Sequence, residues 1–170
     1  SITGTTLTVS AEKNTDANRS AKVTLRATGA SKEITVSQAS SALKTSTLTF
    51  TAKCNGTGTA DDGVAWTVTS DGSESSFDGT KGIHYGTASA AVQYIRLSTS
   101  GITGTITKVV VNASTASGVS ATAGVTVGGS AFGGEAQSLT ASAAEYTFNG
   151  SATGEIVVTV TKPSSATKAL

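Results

Sequence analysis

The 170 residues carry a net charge of +1 at pH 7 and only 14% charged side chains, against a usual share of about 25%. No cluster of basic residues is present, so the electrostatic footprint that nucleic acid or an anionic membrane surface requires is missing, and no apolar run approaches the roughly 18 residues needed to cross a bilayer. The length suits one ordinary domain plus a fragment, and the absence of methionine leads us to expect a processed or truncated polypeptide with any export signal removed.

Apolar residues alternate with polar ones in short runs separated by Gly, Asn and Ser. That period of two belongs to half-buried strands. In chain order the first strands are expected at Thr5 to Ser10, Ala21 to Ala27 and Glu33 to Gln38, with a polar loop from Glu12 to Ser20 and a turn at Gly29-Ala30-Ser31. A short linker at Ser40 to Ala42 follows. Further strands are expected at Thr47 to Lys53, Val64 to Ser70, Gln93 to Ser98, Thr105 to Asn112, Ala121 to Val127, Gln137 to Ser142, Tyr146 to Asn149 and Glu155 to Thr161. Their spacing of about 8 to 12 residues suits a sandwich or barrel rather than βαβ units. Gly128-Gly129 and Asn149-Gly150 read as tight hairpin turns, Gly101, Gly104 and Gly118 as corners, and Pro163 falls where a missing amide donor is harmless.

The strand Leu7-Thr8-Val9-Ser10, the loop, the hairpin and the closing Val36-Ser37-Gln38 together resemble the second half of a BACON module, a small β-sandwich carried by surface and secreted proteins of gut Bacteroidota. The run from Lys81 to Leu170 resembles a β-sandwich module found at the C-terminus of exported proteins of the same bacteria. These resemblances imply an all-β chain: an immunoglobulin-like partial sheet over residues 1–40, then a jelly-roll-like antiparallel β-sandwich over residues 41–170. They also imply that the first module lacks its opening strands and the second its last one.

Candidate sites are few. Trp66 shares a strand face with Val64 and Val68, which suits core packing, while an exposed indole would offer a sugar-stacking platform. Lys81-Gly82-Ile83-His84-Tyr85-Gly86 gathers a base, an imidazole and a phenol between glycines, so Lys81, His84 and Tyr85 are candidate ligand contacts beside the simpler reading of a surface strand. Asp61, Asp62, Asp71 and Asp78 lie with Glu74 in a loop-rich window where carboxylates suit a structural calcium ion, although Asp-Gly pairs are first of all turn residues. Cys54 is the single cysteine and reads as a small buried hydrophobe rather than a reactive thiol.

No Gly-x-Ser-x-Gly elbow and no phosphate-binding glycine loop occurs, so the chain is expected not to be an enzyme and to need no cofactor beyond that calcium. The resemblance implies an extracellular or cell-surface, non-catalytic binding or adhesion module directed at glycan or a cell-surface partner. Two alternatives stand beside it. One is a structural spacer or fibre subunit that self-associates through open sheet edges by β-strand addition; the other is the accessory region of a larger secreted hydrolase.

Overall fold

A computed structural model describes residues 2–3, 6–15, 17–87 and 89–162. The chain divides into two compact units, Ser1–Thr45 and Ser46–Leu170. Among the described residues there is no helix, and every strand pairs antiparallel. The fold is all-β, as the alternation predicts.

In the first unit, β1 (Ile2–Thr3) pairs with β2 (Thr6–Leu7). The strand expected to run to Ser10 stops at Leu7. β3 (Arg19–Ala27) and β4 (Ala30–Gln38) form a long hairpin closed by Thr28-Gly29, with Gly29 at φ 77° and Ala27 facing Ala30. The turn therefore sits one residue before the expected one, because the left-handed position must fall on the glycine. Val23 pairs with Ile34 and Ala21 with Val36, which sets half-buried Val23, Ile34 and Val36 on one face beside exposed Ala21. Ser20, Lys22, Thr24 and Arg26 line the other face, where Lys22 Nζ lies 2.9 Å from Glu33 Oε2. The polar segment after β2 is tied back to this hairpin. Arg19 donates to Gln38 Oε1 and to the Glu12 carbonyl, and Gln38 Nε2 donates to the same carbonyl at 2.7 Å.

The second unit contains β5 (Thr57–Thr59), β6 (Ala65–Ser70), β7 (Glu74–Asp78), β8 (Gly82–Tyr85), β9 (Tyr94–Thr99), β10 (Ile106–Ala113), β11 (Thr122–Val127), β12 (Ser130–Ala131), β13 (Gln137–Ser138), β14 (Ala144–Ala152) and β15 (Ile156–Thr161). Its main sheet has the order β12-β11-β15-β9-β6-β5, with β13 also on β11. Two separate pairs, β10 with β14 and the β7–β8 hairpin, complete the unit. Register explains the core. Val125, Val158, Leu97 and Val68 lie in one row across the main sheet, and Ala123, Val160 and Ile95 lie in the next. Those inward residues share one hydrophobic core with Tyr146 and Phe148 of β14, Ile106 of β10, Tyr85 of β8, and Val92 and Phe132 from loops. Phe148 and Val92 are fully buried at 0% exposure, and burying such side chains supplies about 1.5–3 kcal/mol each.

Two expectations from the sequence are corrected by packing. The segment Thr47 to Lys53 forms no ladder. Its alternation reports burial only: Leu48 and Phe50 lie over β5, and a Cβ at Gly58 would sit 2.8 Å from Leu48 Cδ1 and 3.0 Å from Phe50 Cε1. Asn149-Gly150 is not a turn but the middle of β14. The glycine is required because the Phe132 ring occupies the place of its side chain, 2.6 Å from an ideal Cβ. Gly128-Gly129 does make the expected two-residue turn between β11 and β12, at φ 59° and 81°, the left-handed pair of a type I′ hairpin. Pro163 lies outside the described residues.

Candidate functional site

The best-formed constellation in the second unit begins at a turn. Asn55 (φ 51°) and Gly56 (φ 85°) are both left-handed, and the Thr57 amide donates to the Cys54 carbonyl at 3.1 Å. Asparagine is the side-chain-bearing residue that tolerates this conformation best, and glycine adopts it without strain. The Gly56 carbonyl accepts from Val68 N at 2.8 Å, which anchors the turn to β6.

Glu74, at the start of β7, clamps this turn. Its Oε1 accepts the Cys54 amide and its Oε2 the Asn55 amide, both at 2.9 Å. A carboxylate receiving two backbone N–H groups makes charge-assisted bonds, the stronger kind. The buried Cys54 thiol lies 3.6 Å from Glu74 Oε2 and 3.3 Å from the Tyr85 hydroxyl. Tyr85 is 4% exposed. Burial foremost, then its Cys54 partner and the Glu74 charge, push the phenol well above the usual tyrosine range. It is therefore a neutral hydroxyl across the physiological range. Cys54 itself packs in the core beside this hydroxyl, as expected of a small buried side chain.

Above this clamp lies an open recess of about 450 Å³, bordered by Asn55, Gly56, Thr69, Ser73, Glu74 and Tyr85. Its wall is dominated by hydroxyl, amide and carboxylate groups with glycine backbone between them. Gly72 has no room for a side chain, since a Cβ there would sit 2.7 Å from Val92 Cγ2. Such a surface can exchange hydrogen bonds with a polyhydroxylated ligand. It offers no paired acid and base at a reacting centre.

The other candidate residues fall elsewhere. Tyr85 lines the recess, whereas Lys81 is exposed at the β7–β8 turn and donates its amide to Asp78 Oδ1 at 2.9 Å. His84 is half-buried on β8, and its carbonyl accepts from Ser75 Oγ at 3.2 Å. Trp66 is half-buried and packs against the core, with its Nε1 buried and without a hydrogen-bond partner among the described residues.

The acids are each engaged with nearby donors. Asp61 accepts Thr47 N, Asp62 accepts Ser46 Oγ and Val64 N, and Asp71 accepts Gln93 N and Tyr94 N. Asp78 accepts Thr80 N and Lys81 N, which hold its carboxyl below the usual carboxylate range. Among the described residues no three His, Cys, Asp or Glu side chains converge as a metal site requires. The window is also less loop-like than expected, since Glu74 and Asp78 both lie on β7. Asparagine-glycine is the strongest short hairpin signal, but the strand that follows Asn55-Gly56, β5, has Gly58 at its inward position and carries no apolar alternation to mark it.

Residues 1–39 match the BACON family model, described as "Putative binding domain, N-terminal". That match supports the reading of the first forty residues as a BACON-like module; it covers less than half of the chain. No curated protein and no solved structure matches the chain.

Proposed function

We propose that this chain is a non-catalytic binding region of an extracellular or cell-surface protein, directed at glycan or a glycan-bearing partner. The observation that carries the reading is the match of residues 1–39 to a family described as a binding domain. The recess at the Asn55-Gly56 turn supports it in the second unit, because hydroxyl and amide groups on a rigid clamp suit sugar hydroxyls. Pre-set polar groups fix a ligand's orientation without the ordering losses of a loop.

A glycan panel against the full chain tests this. Binding to at least one glycan class with Kd better than about 1 mM, a free energy beyond roughly −4 kcal/mol, is the expected result. No binding at that level across the panel would overturn the glycan reading.

A further inference from the structure

We infer that β10 is a self-association edge, through which two copies of this chain pair antiparallel about a twofold axis at Val110. Within the second unit β10 bonds only to β14. Its other edge, Ile106–Ala113, has no ladder partner and no backbone hydrogen bond among the described residues. A long open edge is a template for another strand, and proteins blunt such edges with charge, bulges or covering segments. Here the centre of the edge carries Val110, which is 42% exposed. The other exposed large apolar residues, Val9 and Leu43, lie outside strands. The edges of β3 and β4 are also open, but their outward residues are all polar.

Register selects the pairing. Antiparallel partners directly opposite share a face of the sheet, so a pairing that keeps the inner face apolar must have its axis on a residue. With the axis at Val110, Val110 faces Val110 of the second copy, and half-buried Val109 faces the second copy's Val111. Lys108 faces Asn112. Because Asn112 pairs with Glu145 of β14, the row then reads Glu145, Asn112, Lys108, with opposite charges on either side of the amide. An axis at Val109 would instead set Lys108 against Val110, and one at Val111 would set Val110 against Asn112. Neither keeps apolar against apolar on both faces. The pairing is isologous and therefore closes at two copies, and the irregularity between Ile106 and Lys108 ends the ladder as a bulge does.

Light scattering after size exclusion on the full chain is the test, with three variants. The wild type is expected to dimerise with rising concentration, and Val110→Lys, which puts two ammonium groups on the axis, to be monomeric with an unchanged far-ultraviolet β spectrum. Under mild oxidation Val110→Cys is expected to form a disulfide-linked dimer, because Cβ atoms of an opposed pair lie about 4.5–5.5 Å apart. Thr147→Cys is the control, since its two copies would stand three strand spacings apart, about 14 Å, and should not link. A wild type that stays monomeric at every concentration overturns the inference. So does a dimer that persists in Val110→Lys, or a Thr147→Cys variant that links as fast as Val110→Cys.

Discussion

Glu74 shows how one side chain can shape a site without reacting. Its carboxylate holds the amides of Cys54 and Asn55, the first of them part-buried. Glu74→Ala is expected to lower stability by about 1–3 kcal/mol, the loss of charge-assisted bonds to one part-buried and one exposed donor. Denaturant titration checks the value, and a change under about 0.5 kcal/mol, the range of an ordinary surface substitution, would show that the clamp is not needed. Tyr85 makes a separate prediction about pH. Its phenol is raised above the ordinary 10.0 in the folded chain, chiefly by burial. The unfolded chain therefore loses this proton first, and the stability it contributes is complete below about pH 10 and declines as pH rises beyond it. Melting curves across the alkaline range should fall more steeply for the wild type than for Tyr85→Phe. Identical slopes would contradict the assignment.

At the scale of the element, alternating apolar runs were legible, and a strand with glycine at its inward position was not. β6, β9, β11 and β15 fall within a residue or so of where their Val, Ile and Leu spacing puts them. β5 carries no such pattern, because its inward position is Gly58 and the covering apolar groups come from Leu48 and Phe50. Thr47 to Lys53 looked like a strand for the same reason: it supplies the hydrophobic cover that β5 lacks. Asn149-Gly150 misled because the glycine there serves the Phe132 ring and not the backbone. A contrast at the β11–β12 turn separates these two uses of glycine. At Gly128 a Cβ would meet the Thr153 carbonyl at 2.5 Å, whereas at Gly129 it meets nothing within 4 Å. Both are left-handed, so each substitution by alanine is strained, by about 1 kcal/mol or somewhat more. Gly128→Ala should be the worse by at least a further 1 kcal/mol, in the range of overpacking, as thermal melting would record. Equal losses would mean that backbone conformation alone decides both.

For the whole molecule, all-β architecture was readable because strand periodicity repeats along the chain, whereas the recess was not, because it forms from a turn, the ends of β6 and β8 and the first residue of β7 brought together only by folding. Trp66 packs against the core and His84 sits half-buried on β8, while Tyr85 of the same cluster borders the recess. The aspartates of the acidic window accept from separate backbone and hydroxyl donors. In the second unit the paired sheets carry a polar recess beside the Glu74 clamp. Amide NMR of the full chain, titrated with the tightest ligand from the glycan panel, tests that picture most directly. Shifts concentrated at Asn55, Gly56, Ser73 and Glu74 are the predicted result; shifts confined to residues 1–39 would place binding in the first unit and contradict the role given to the recess, and shifts at neither would contradict both.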